Sequence, residues 1–297
     1  MLKKFFLTLV LLCFANAAHA EDAFDRVMKT RTINCGYIIA PPYITKDANT
    51  GALGGMNYEM MEAIGKNLGV KINWATEVGP GDVAAALSAN KIDVMCQTIW
   101  PSAGRYTGMT FVDKPEFYSA IYAIVRADDT RFDGDLSKAN DKDIKAAGIE
   151  GDFSYDIIKE KLPNAQALSL AGSISVAEFI MHLTTKKADI LFFDKGTLTD
   201  FSKTNPNQIK VVANVPAARI FGEHLAVKLG EYKMRDILNM ATLQLVNDGV
   251  FDEIVARYAK EYNTDIYPPA KDFTRNIPQG LTKDAHVKAL LDKYAPQ

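Results

Sequence analysis

Residues 32–74 read TINCGYIIAPPYITKDANTGALGGMNYEMMEAIGKNLGVKINW, and this stretch decides the fold. Thr32 to Ile39 is rich in β-branched and apolar residues, the composition of a strand. From about Asn57 the period changes: Met60, Met61, Ile64 and Leu68 fall on one face of a helix. Gly69 is the residue that closes such a helix, because without a Cβ it enters the left-handed region at no steric cost. Val70 to Trp74 is a second strand. Strand, helix and strand in that order make the two strands parallel, with the helix crossing over the sheet.

The same rhythm runs outward along the chain. Asp82 is the expected cap of a short helix through Val83 and Leu87, followed by a strand around Val94 and another from Ala120 to Val125. Gly148-Ile149-Glu150 is a short strand, and Ser154 is the expected cap of a helix through Ile157, Ile158 and Leu162 that Pro163 stops. Ser175-Val176-Ala177-Glu178 has the spacing of a capping box opening a helix through Phe179, Ile180 and Leu183. Ala188 to Phe193 is a buried strand broken only by Asp189, and Asp194 ends it. After a strand near Leu225 to Val227, Met234, Ile237, Leu238, Ala241 and Leu245 make one helical stripe that Gly249 stops. Phe251, Ile254, Val255 and Tyr258 make the next. These stripes are core rather than function. Ile266 to Gly280 is irregular, and a last amphipathic helix is expected through Val287, Leu290, Leu291 and Tyr294.

At 297 residues the chain is long enough for two domains of about 150 residues. Residues 1–20 are expected to belong to neither. Lys3 and Lys4 precede an almost wholly apolar run from Phe5 to Phe14, and Ala18-His19-Ala20 has the small-x-small pattern of a signal-peptidase site. That run is too short to span a bilayer, which takes roughly 20 residues. A cleaved secretory signal is therefore expected, with the mature chain starting at Glu21 in the periplasm. Leu12, ahead of Cys13, stands where a lipid-anchor site wants a small residue. Without residues 1–20 the chain carries 32 basic and 36 acidic side chains, a net charge of −4. That excludes the basic footprint of a nucleic-acid-binding protein. With 48% apolar and 24% charged residues the composition is that of an ordinary globular protein.

Cys35 and Cys96 remain after the signal, both in strand-like runs. From the residues alone they fit either a disulfide or two buried thiols. The histidines are scattered, so no metal site is expected, and no cofactor-binding motif is present. There is no Gly-x-Ser-x-Gly elbow, phosphate-binding glycine loop or His-Glu-x-x-His. Two charged residues stand out by position. Arg105 follows the strand Asp93 to Gln97, and Asp194 sits at the carboxyl end of another strand. Ligands of open α/β sheets bind beyond such ends. An arginine there can clamp a carboxylate with two parallel hydrogen bonds, and an aspartate can accept from an ammonium group. Taken singly, a turn arginine is more often a solvated charge, and a strand-end aspartate more often a helix cap.

The order of several motifs carries more information than any one of them. Ala40-Pro41-Pro42-Tyr43, Gly54-Gly55-Met56-Asn57-Tyr58-Glu59-Met60, Lys91-Ile92-Asp93-Val94 and Arg105 come first. Phe111-Val112-Asp113-Lys114-Pro115-Glu116-Phe117-Tyr118, Lys187 to Asp194, and Phe221-Gly222 follow. Asn247-Asp248-Gly249-Val250-Phe251-Asp252-Glu253-Ile254 with Arg257-Tyr258 closes the series. In this order they resemble the amino-acid-binding family of periplasmic solute-binding proteins of ABC transporters, over about residues 29 to 262. The resemblance implies the type II periplasmic binding protein fold, an α/β architecture of two Rossmann-like lobes joined by two crossover strands. The crossovers are expected near Ala120 to Arg126 and Pro216 to Gly222. Residues 21–122 and 218–297 would form lobe one and residues 123–217 lobe two.

The resemblance also implies roles. Arg105 would grip the ligand α-carboxylate and Asp194 the α-amino group. The loop from Thr98 to Trp100 would contact the ligand, and the loop from Gly151 to Phe153 would add backbone amides at a helix N-terminus, where an anion is favoured. The neighbouring strands of that fold favour a Cys35–Cys96 disulfide. The chain also departs from the pattern. Pro80 and Gly81 stand where an aromatic usually packs on the ligand, and Ala40 stands where another aromatic is expected. Gln97 and Trp100 replace small hydroxyl residues, as do Asp152 and Phe153, and Tyr37 replaces a frequently acidic residue. Trp100 or Phe153 supplies the missing aromatic wall, or both are core. The implied protein is a monomer that binds an amino acid or related small carboxylate, docks on a membrane permease, and is not an enzyme. Two rivals are a ligand-sensing or accessory subunit and a cyclohexadienyl-dehydratase-like enzyme on the same fold, with Glu150 or Asp152 as acid.

Overall fold

The computed structural model describes residues 22–270. The expected signal segment, Cys13 and the helix through Val287 lie outside the described residues. No helix among the described residues is long and apolar enough to cross a membrane.

Helix α1 (Ala23–Thr30) leads into strand β1 (Thr32–Tyr37), and a short hairpin of β2 (Thr45–Lys46) and β3 (Leu53–Gly54) precedes α2 (Met56–Leu68). Gly69 closes α2 in the left-handed region at φ 64°, its N–H bonded to the Gly65 and Lys66 carbonyls. Strand β4 (Lys71–Glu77), α3 (Val83–Ser88), β5 (Val94–Ile99) and β6 (Met109–Phe111) follow. Strand β1 lies parallel between β4 and β5, as a strand–helix–strand crossover requires.

Beyond β7 (Phe117–Arg126) come β8 (Lys145–Ile149), α4 (Phe153–Lys161), β9 (Gln166–Leu170), α5 (Val176–Thr184), β10 (Ile190–Asp194), α6 (Lys195–Thr204) and β11 (Ile209–Val211). Strand β12 (Arg219–Lys228) returns to the first half, followed by α7 (Tyr232–Asn247), α8 (Val250–Glu261) and β13 (Ile266–Tyr267). The main sheet runs β4-β1-β5-β12-β7-β10-β8-β9. Its two ends are the sheets of two α/β lobes, and β7 and β12 join them.

Each joining strand is split between partners. Phe117 to Ile121 of β7 pairs antiparallel with Glu223 to Arg219 of β12. The rest of β7 pairs with β10, and the rest of β12 with β5. The observed crossovers thus reach further than expected from sequence, β7 starting at Phe117 and β12 ending at Lys228. The expected lobe boundaries fall inside β7 and just ahead of β12.

Side-chain caps open four of the eight α-helices described. Ser175 and Glu178 form the reciprocal capping box: the Glu178 N–H donates to Ser175 Oγ and the Ser175 N–H to Glu178 Oε2. Two expectations need correction. Asp82 precedes α3 but makes no capping bond. The cap of α4 is Asp152, not Ser154, because the Ser154 hydroxyl is itself engaged, donating to Asp152 and accepting from the Ile149 N–H. Helix α6 carries no strong apolar stripe and was not expected; Asp194 caps it.

In lobe one, Met60, Met61, Ile64, Leu238 and Phe251 pack on Ile33 and Val94. Each such side chain contributes about 1.5–3 kcal/mol on full burial. Cys35 and Cys96, on adjacent strands with Cα atoms 5.3 Å apart, are joined in a disulfide and fully buried in this core. The bridge closes 61 residues. Chain-entropy arguments then give a stabilisation of about 4 kcal/mol. Cys35→Ala/Cys96→Ala should lower the unfolding free energy by about that amount in denaturant titrations. An unchanged midpoint would show that the bridge contributes nothing.

Candidate functional site

The carboxyl ends of β1, β5, β8 and β10 converge where the two lobes meet, and the joining strands form the floor. There they enclose a cavity of about 60 Å³. Of the residues singled out from sequence, Gln97, Thr98, Trp100, Arg105, Asp152, Phe153 and Asp194 line it. Tyr37 does not. It ends β1 beside Glu77, its ring edge-on to Trp74 at 6.1 Å. Glu150 is exposed and outside the lining.

Arg105 follows β5 in lobe one, and its backbone N–H bonds Ser102 Oγ. Its guanidinium reaches across to lobe two: Nη2 donates to the Gly151 carbonyl at 3.0 Å and to Asp152 Oδ2 at 3.5 Å, and Nη1 donates to the Trp100 carbonyl. The guanidinium carbon lies 4.2 Å from the centroid of the Trp100 ring, a cation–π arrangement. Burial lowers its pKa from the ordinary value, and the Asp152 charge opposes that. Arginine nonetheless stays charged.

On the other side of the cavity, Asp194 does two jobs. Oδ1 accepts the Thr197 N–H and Oδ2 the Thr197 hydroxyl, both at 2.9 Å, so the carboxylate caps α6 while facing the cavity. Burial raises its pKa, and the Thr197 bonds oppose the rise. The Tyr43 hydroxyl neighbours this carboxylate without a hydrogen bond of good geometry, and its ring stacks on Phe117 at 5.7 Å.

Trp100 and Phe153 both line the cavity, and both also pack into the core of lobe two. Trp100 and Phe153 meet edge-to-face with centroids 4.1 Å apart, backed by Phe193 and Phe221. Gln97 Oε1 accepts the Ile38 N–H at 2.9 Å, tying the ends of β1 and β5 together. Thr98 Oγ1 accepts from Asn57 Nδ2, which also approaches Glu116 Oε2 at 3.4 Å.

Glu223 was not singled out from sequence. It lies on β12 in the cavity lining, 6% exposed, and Oε1 accepts from the Ser119 hydroxyl at 2.5 Å. The available signal was an acid inside the apolar run from Ile220 to Val227. Burial pushes the Glu223 carboxyl up to about 8, Asp194 adding to it. Glu116, 1% exposed behind the site, is likewise pushed up to about 8 by burial. Among the described residues, no three His, Cys, Asp or Glu side chains are grouped to hold a metal.

Both glutamates bind a proton more tightly folded than unfolded. Their contribution to stability is therefore complete below the unfolded carboxyl range and is lost as pH rises toward about 8. The fall is at most about 1.4 kcal/mol per pH unit per carboxyl. Glu116→Gln should flatten the decline between about pH 5 and pH 8. Denaturant unfolding curves for the two proteins that stay parallel across that range would contradict this.

Residues 33–261 match the family model described as bacterial extracellular solute-binding proteins, family 3. The chain is 26% identical over 211 residues to a probable amino-acid ABC transporter-binding protein of Haemophilus influenzae, covering 69% of this chain and 78% of that protein. It is 23% identical over 228 residues to the L-cystine-binding protein TcyA of Bacillus subtilis, covering 74% and 78%. Among solved structures, the cysteine-binding protein of Campylobacter jejuni has a TM-score of 0.69 at 18% identity, over 81% of this chain and 94% of that one. The ancestral amino acid-binding protein AncCDT-1, a precursor of cyclohexadienyl dehydratase, has 0.66 at 22% identity, over 80% and 99%. These structures share the type II periplasmic binding protein fold with this chain.

Proposed function

Since this chain belongs to the bacterial extracellular solute-binding proteins, family 3, we propose that it captures a free amino acid or related small carboxylate between its lobes for import by an ABC transporter. The observation that carries this reading is one cavity lined by Arg105 from lobe one and Asp194 from lobe two. In this reading Arg105 takes the ligand carboxylate as a bidentate partner and Asp194 takes the ammonium group. Thr98, Gln97 and Asp152 complete the polar wall, and Trp100 with Phe153 covers the apolar part of the ligand. The protein works without a cofactor, and a membrane permease receives the closed form.

Closure follows from the same contacts. The ligand bridges the lobes, so it binds the closed form more tightly than the open one and draws the hinge shut. Exclusion of water strengthens the charged contacts. The named relatives are solute-binding proteins, and we read this chain as a binder rather than an enzyme.

Thermal unfolding of the mature protein against a panel of amino acids, amines and small carboxylates tests this. A ligand at about 100 times its dissociation constant should add about 2.7 kcal/mol. Arg105→Ala and Asp194→Ala should each abolish the shift. No shift with any amino acid would reject the assignment.

A further inference from the structure

Charges around the cavity do not balance for a neutral zwitterion. Its lining holds one cation, Arg105, and three carboxyl groups, Asp152, Asp194 and Glu223. Arg105 already donates to Asp152. If a ligand ammonium takes Asp194, Glu223 is left over. The nearest further cation along the chain, Lys195, is committed elsewhere, its Nζ 2.5 Å from Asp265 Oδ2.

Glu223 is also held in place. It sits on one of the two joining strands, and its partner Ser119 sits on the other. Its backbone carbonyl accepts the Glu116 N–H at 2.8 Å. A carboxyl held by a single hydroxyl in a largely apolar cavity is costly to ionise unless a cation pairs with it. From this we infer that Glu223 is a specificity residue that receives a second positive group, so that the pocket selects ligands with more positive than negative groups: basic amino acids or small diamines. The inference rests on the solute-binding reading above and narrows its ligand class.

A hydroxyl-bearing ligand would fit less well. The groups facing Glu223 are Asp194, Asp152, Glu116, Tyr43, Ser119 and Arg105, and the carboxyls dominate. A cation relieves their mutual repulsion, whereas a neutral donor leaves it in place. The aromatic rings of Trp100 and Phe153 accommodate a cation as well. The carboxyl is held largely protonated near neutral pH without ligand. A cationic ligand should therefore displace that proton on binding.

The test is calorimetric titration of the wild type and Glu223→Gln with matched pairs: L-ornithine against L-citrulline, L-lysine against L-glutamine, and putrescine as the carboxylate-free arm. The wild type should prefer each cation over its neutral counterpart by roughly tenfold or more. Glu223→Gln, which keeps the side chain's size, should erase that preference. Binding of putrescine would assign the site to diamines as well; its failure alongside ornithine binding would restrict it to basic amino acids. Neutral amino acids bound as tightly as cations by the wild type, or a preference surviving in Glu223→Gln, would overturn the role of Glu223 while leaving amino-acid capture standing. Binding of none of these probes would take both readings down together. If the variant does not fold, titration of the wild type at about pH 6 in two buffers of different ionisation enthalpy decides. Release of close to one proton per bound cation supports the assignment, and no release overturns it.

Discussion

Antiparallel pairing of Phe117–Ile121 with Glu223–Arg219 is the constraint on which the rest of the structure depends. The same few residues link two sheets, form the floor of the cavity, and are the only long strands shared by both lobes among those described. A strand ladder is stiff along its length and twists across it, so it holds the lobes in register while letting them rotate. It also explains why polar groups sit so deep. Ser119 and Glu223 face the cavity because alternate residues of a strand face one side.

The cleft shuts by close approach of backbone as well as by side chains. Gly81 donates its N–H to the Gly172 carbonyl across the lobes at 2.9 Å, and a Cβ at Gly81 would lie 2.1 Å from the Glu150 carbonyl oxygen. Gly81, lacking a Cβ, is what lets the two loops touch. The aromatic surface is supplied from other positions, Trp100 after β5 and Phe153 at the start of α4. Arg105 joins both devices, lying over Trp100 while bonding the Gly151 carbonyl. The two aromatic rings and the charged pair Arg105 and Asp194 thus line one cavity.

Burial sets the electrostatics. Arg105, Asp152, Asp194 and Glu223 share a site largely closed to water, and burial heads the causes acting on each. With the dielectric low, unbalanced charge weighs more than it would on a surface. The lining holds three carboxyl groups against one guanidinium.

By itself the sequence determined the periodic features. The βαβ unit of residues 32–74, the stripes of α7 and α8, the box at Ser175 and Glu178, and the end of α2 at Gly69 are local, set by side-chain period and backbone freedom. The order of motifs carried the fold, and with it Arg105 and Asp194 as a pair. Tertiary structure decided what local pattern does not encode. The residues themselves allowed Cys35 and Cys96 to be joined or free, and only the adjacency of β1 and β5 in the folded chain brings them within bridging distance. Asp152 replaced Ser154 as a cap because the serine found other partners. Tyr37 fell outside the cavity, and Glu223 entered it, because β1 ends facing β4 while β12 crosses the floor. A strand pattern gives each residue a face, but which face meets a ligand is fixed by how distant strands pair, and that is a property of the whole chain.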